Sequence, residues 1–142
     1  MVKLLVHCLK KSDKKVIILC AADTNVAVDN LLEGMHDLGI KALRVGKPVK
    51  IREELRDLSL DAKLLDHSEN GQLSLLRYQR DELIRKGHAA GLSVIKQNIK
   101  SIETRMSKDV MNDVDVICST CIGAAAELLE DYTFPVVLID GK

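Results

Sequence analysis

Val16-Ile17-Ile18-Leu19-Cys20-Ala21 leads through Ala22 into Asp23-Thr24-Asn25-Val26-Ala27-Val28-Asp29-Asn30, and this junction decides the fold. The first stretch is continuously apolar and rich in β-branched residues, the pattern of a strand buried on both faces of a parallel sheet. The second opens a helix from about Asn25 to Leu38, with Val28, Leu31, Leu32, Met35 and Leu38 on one face and Gly39 at its C-cap. Open α/β sheets place ligand-binding groups in the turn between such a strand and its helix. A helix N-cap accounts for one of Thr24 and Asn25. Thr24, Asn25, Asp29 and Asn30 together exceed what a cap needs, so the turn is a candidate binding element.

Upstream, Val2, Leu5, Val6 and Leu9 fall on one helical face with nothing before Met1 to cap it, so the chain is expected to begin inside a helix. Downstream, Lys41 to Val45 reads as a short strand closed by Gly46 and Pro48, and Ile51, Leu55 and Leu58 suggest a short helix. From Gly71 the pattern changes: Leu73, Leu76 and Leu83, then Leu92, Ile95, Ile99, Ile102 and Met106, keep heptad-like spacings. Two helices packed as a hairpin around Gly87 to Gly91 are expected, a single bent helix being the alternative, with the apolar seam filling an intramolecular core. The α/β alternation resumes with a strand at Val114 to Cys118, a helix at about Ala124 to Glu130, and a strand at Val136 to Asp140.

The composition bounds the function. The chain has 142 residues, 46% hydrophobic and 30% charged, which suits one globular domain with a real core. Its net charge of zero supplies no global basic field for nucleic acid. With two Tyr, one Phe and no Trp, an aromatic platform for stacking bases is not expected. No apolar run reaches membrane-span length and no signal peptide is recognisable, so no membrane partner is expected and the predicted location is intracellular, in cytoplasm or nucleus. Cys118-Ser119-Thr120-Cys121 has C-x-x-C form, but no second ligand pair accompanies it, so reduced thiols are expected in place of a zinc or redox site. The histidines His7, His36, His67 and His88 show no ligand spacing.

The turn resembles motif Ia, Ala-Pro-Ser-Asn-x-Ala-Val-Asp-Asn, of superfamily 1 helicases of the up-frameshift/senataxin-like group. Ala22, Thr24, Asn25, Ala27, Val28, Asp29 and Asn30 match or replace like with like, while Asp23 stands in place of proline. Leu43-Arg44-Val45-Gly46-Lys47-Pro48 and Glu54 to Asp61 resemble the stretch that follows motif Ia in that group. Val116 to Ala124 resembles its strand ending in Cys-x-Thr-x-x-Gly-Ala, and Val136-Val137-Leu138-Ile139-Asp140 resembles motif II. The resemblance implies a partial RecA-like P-loop NTPase domain over residues 1–142: an α/β fold with a parallel sheet and a helical insertion at about 66–110.

In that family motif Ia touches the nucleic-acid backbone. The resemblance therefore implies contacts from Thr24, Asn25, Asp29, Asn30 and Thr120 to single-stranded RNA or DNA, chemistry that short polar side chains at a helix N-terminus suit. It also implies ATP and Mg²⁺ for an intact domain, with Asp140 as the magnesium-associated carboxylate. Gly141 occupies the position of the catalytic Glu, and no G-x-x-x-x-G-K-S/T occurs in the chain; the Gly34/Gly39 spacing fails at Ile40-Lys41-Ala42. No catalytic or cofactor-binding residue is assigned, and the chain alone is expected not to hydrolyse ATP. The resemblance implies that the missing remainder of a helicase core is a partner, and an unpaired sheet edge predicts self-association. A non-enzymatic remnant binding nucleic acid or protein is the alternative, and an unrelated small doubly wound nucleotide or receiver module is a third reading.

Overall fold

A computed structural model describes residues 2–11 and 15–141, without the side chains of Val2, Val6, Lys10 and Glu127. Helix α1 covers Val2–Lys11, and the expected start at Met1 lies outside the described residues. Strand β1 (Ile18–Ala22) leads into α2 (Asn25–Asp37) and β2 (Ala42–Arg44). Two 3-10 turns (Pro48–Lys50 and Glu53–Leu58) and α3 (Leu60–Leu65) come next, then the long helices α4 (Asn70–Arg85) and α5 (Leu92–Asn112). Strand β3 (Val116–Thr120), a 3-10 turn (Gly123–Ala125), α6 (Glu127–Glu130) and β4 (Val136–Asp140) complete the order.

The four strands form one parallel sheet in the order β2-β3-β1-β4. Every residue of β1 is buried, because helices cover both faces of the sheet there. On one face Ile18, Cys20 and Ala22 pack with Leu5 of α1 and Val28, Leu32 and Met35 of α2. On the other, Leu19, Leu43 and Ile117 pack with Leu60 of α3, Met111 of α5 and Leu129 of α6. This two-sided cover is why the strands read as unbroken apolar runs. On β4 exposure alternates instead, with Val137 and Ile139 49% and 62% exposed, so one of its faces lacks a helix.

Helices α4 and α5 are antiparallel neighbours: Arg77 pairs with Glu103 and Glu69 with Arg105 across them. Between them, Leu73, Ile99, Ile102 and Met106 make a separate apolar cluster, which Leu64 of α3 joins to the sheet side. The turn between the helices uses Gly87 (φ 69°) and Gly91 (φ 78°), a left-handed backbone that a Cβ disfavours. Strand β3 lies two residues later than periodicity suggests, because the register with β1 starts at Ile18 opposite Val116. The turn of Ile51 to Leu58 is 3-10 in place of α, and a further helix follows at once, N-capped by Ser59, whose Oγ accepts from the Ala62 N–H at 3.2 Å. The helix expected at Ala124 to Glu130 divides into a 3-10 turn and the four residues of α6.

Candidate nucleic-acid interface

The carboxyl ends of β3, β1 and β4 come level, with Ala22 in register with both Thr120 and Asp140. The turns that follow are tied together, since the Cys121 N–H donates to the Ala22 carbonyl at 2.9 Å. Thr24 caps α2: its Oγ1 accepts from the Ala27 N–H at 3.2 Å, and its carbonyl accepts from the Val28 N–H. Thr120 repeats the device one strand away, its Oγ1 accepting from the Gly123 N–H at 3.0 Å. A Cβ at Gly123 would lie 2.6 Å from Ser119 Oγ and 2.9 Å from Thr120 Oγ1, so this turn requires glycine. Each threonine thus spends acceptor capacity on its own turn and keeps its hydroxyl hydrogen to donate outward. The N–H groups of Asn25 and Val26 take no partner among the described residues, as the first turn of a helix dictates.

Behind this rim lies a buried cation that sequence reasoning did not single out. Arg44, 1% exposed at the end of β2, donates Nε to Asp29 Oδ1 (3.1 Å), Nη1 to the Val45 carbonyl (2.6 Å) and Nη2 to Asn25 Oδ1 (2.8 Å). The other oxygen of Asp29 accepts the Arg52 backbone N–H at 2.9 Å, so Asp29, only 4% exposed, has both oxygens engaged inside the protein. Asn30 Oδ1 accepts from Arg52 Nη2 at 3.1 Å, and Arg52 also pairs with Glu33. A side chain at Gly46 (φ 150°) would meet Arg44 Nη1 at 2.9 Å, so glycine makes room for the guanidinium. The signal available in the sequence was a lone charge on an apolar strand, Ala42-Leu43-Arg44-Val45, which burial tolerates only when paired.

The five residues expected to contact nucleic acid thus divide. Thr24, Asn25 and Thr120 gather at the ends of β1 and β3 and reach solvent; Asn30 is exposed one turn further along α2; Asp29 faces inward. Asp140 is half-buried at the end of β4, and among the described residues it belongs to no group of three His, Cys, Asp or Glu side chains close enough together to hold a metal ion. With Gly141 following and no phosphate-cradling loop in the chain, the residues present do not fit Mg²⁺ and ATP.

A grouping elsewhere, His67, Glu69 and Asp109, has its ligand atoms close enough together to hold a metal ion, but hydrogen bonds and ion pairs within the protein already engage all three side chains. Glu69 is held bidentately by Arg105, and His67 Nδ1 accepts the Glu69 N–H at 3.1 Å, which leaves Nε2 to carry the proton toward Asp109. The cysteines are free thiols. Cys118 faces Cys20 on the neighbouring strand, and their hydrogen bond, with burial, pushes the Cys118 thiol well up. Burial and a hydrogen bond to Asp23 push Cys121 up as well, so its thiol is a poor nucleophile at neutral pH.

Comparison with known proteins places this sheet edge in a family. The AAA domain family matches the chain over residues 1–91 and 77–141. The chain belongs to it. It is 34% identical over 140 residues to the ATP-dependent helicase NAM7 of Saccharomyces cerevisiae, covering 96% of this chain and 13% of that protein. It is 31% identical over 140 residues to the Regulator of nonsense transcripts 1 homolog of Arabidopsis thaliana, covering 96% and 11%. To the DNA-binding protein SMUBP-2 of Mus musculus it is 29% identical over 140 residues, covering 87% and 14%. The chain is a partial RecA-like α/β domain of the up-frameshift-like superfamily 1 helicase family, and it spans little more than a tenth of the length of these relatives. Among its described residues no helix is long and apolar enough to cross a membrane.

Proposed function

We propose that this chain supplies the backbone grip of an ATP-dependent helicase, holding single-stranded RNA or DNA at the carboxyl edge of its sheet. The observation that carries the reading is the set of outward donors there: the Thr24 and Thr120 hydroxyls and the unpartnered Asn25 and Val26 N–H groups of α2. Phosphate oxygens accept only, and a helix N-terminus favours their charge. Lys47 and Lys50, exposed on the loop after β2, form no ion pair among the described residues and add the positive charge that the neutral chain otherwise lacks. Asp23, exposed in the same turn, opposes that charge and lowers the expected affinity. Asp29 acts from behind, through Arg44. A helicase core that supplies the nucleotide-binding loop and the catalytic carboxylate is the partner this reading requires, in cytoplasm or nucleus.

Two outcomes are expected. Fluorescence titration of the chain with a labelled uridine homopolymer gives binding that weakens with salt. For two phosphates neutralised by Lys47 and Lys50, a fourfold rise in salt costs roughly sevenfold in affinity. Binding that ignores salt would remove the backbone reading. In a phosphate-release assay the purified chain shows no ATP hydrolysis above background, with or without nucleic acid, because Gly141 stands where the family's catalytic Glu would orient and deprotonate the attacking water. Turnover stimulated by nucleic acid would refute this. A purely non-enzymatic remnant, the second reading, is favoured by Gly141 after Asp140 and predicts the same absence of turnover even when the rest of a helicase core is supplied.

A further inference from the structure

We infer that Arg44 is a positioning residue for nucleic-acid binding: it fixes which end of the Asn25 side-chain amide faces the strand. The inference rests on the backbone-grip reading. An asparagine amide has an acceptor end and a donor end of nearly the same shape, and only the NH2 end can bond a phosphate. Left free at a turn, it presents either. Arg44 removes the choice. A guanidinium has donors and no acceptor, so the group it meets at 2.8 Å from Nη2 must be Oδ1, and Nδ2 is turned away from it.

Arg44 can impose this because it is itself immobile. It is 1% exposed, held by Asp29 and the Val45 carbonyl, and seated in the space that Gly46 leaves. Its charge is balanced by Asp29, so it orients the amide without offering its own charge to the strand. The link also explains why Asp29, which faces inward, belongs to the same short motif as Asn25: it anchors the arginine that aims the amide. The Asn25 amide then keeps both of its donors for the strand, adding to the Thr24 and Thr120 hydroxyls, with the Asp23 carboxylate the opposing acceptor in the same turn.

The test is Asn25→Asp beside Asn25→Ala and wild type, read by titration with the labelled uridine homopolymer and by thermal unfolding. Aspartate keeps an oxygen for Arg44 to donate to, so the melting temperature is expected to stay level or rise. It has lost both amide donors and adds a charge facing phosphate. Affinity should fall about tenfold or more, further than for Asn25→Ala, since a bond to a charged group is at stake. Arg44→Lys, measured where it remains folded, should also lose affinity severalfold, because a single ammonium lacks the fork that holds Asp29 and Asn25 at once. If wild type binds and Asn25→Asp binds within about twofold of it, the orientation has no role and the inference falls while the grip reading stands. If wild type does not bind at all, the reading fails and the inference with it.

Discussion

Arg44→Met is expected to destabilise the protein by about 3–5 kcal/mol, the largest loss any single change outside the apolar core should produce. The Asp29 carboxylate, 4% exposed, would keep only the Arg52 N–H and would face the core uncompensated. Urea unfolding should register this as a lower midpoint at unchanged slope, and the melting temperature should fall on the order of 10 °C. Adding Asp29→Leu to Arg44→Met should return most of that loss, because an apolar pair of similar volume often replaces a buried ion pair at little cost. A double variant as unstable as Arg44→Met would mean that the network is held by shape and not by charge. The refolded double variant has a second use. It is a folded chain whose Asn25 amide has no orienting partner, so its weakened affinity would separate aiming from stability.

Leu73→Ala is expected to release α4 without unfolding the sheet. Leu73 is the one residue of that helix that is buried, packed with Ile99, Ile102 and Met106 of α5. Truncating it removes a transfer and cavity contribution of about 2–5 kcal/mol. What remains is mainly half-exposed apolar contact and surface ion pairs such as Arg77 with Glu103 and Arg105 with Glu69, which solvent screening leaves weak. Hydrogen exchange should show residues 70–85 losing protection while β1 and β3 keep theirs. Equal loss across β1 would show that the hairpin and the sheet fold as one cooperative unit.

The sheet was legible because its central strands, β1 and β3, are buried on both faces and leave apolar runs at residues 16–22 and 116–118. Strand β4 read the same way although one of its faces is open, since Val137 and Ile139 are apolar whether covered or not. Register was not legible: β3 carries apolar residues from Val114 onward, and only its pairing with β1 decides that the strand begins at Val116. The motif Ia turn announced itself through surplus polar residues at a strand-to-helix junction. Their division of labour did not, because Asn25, Asp29 and Asn30 look alike in sequence and differ in which way the helix turns them. Arg44 does not show in sequence as the anchor of its motif, since its three acceptors lie at residues 25, 29 and 45 and meet only in the folded chain.

The hairpin rests on the remainder of the molecule through α5 and Leu64 of α3, and its far end is the glycine turn at Gly87 and Gly91. Chain added at that tip re-registers no strand and uncovers no central core residue. The segment from Gly87 to Gly91 is therefore a natural splice point: a reporter or affinity tag inserted there can travel with the protein while the distant sheet edge keeps its shape.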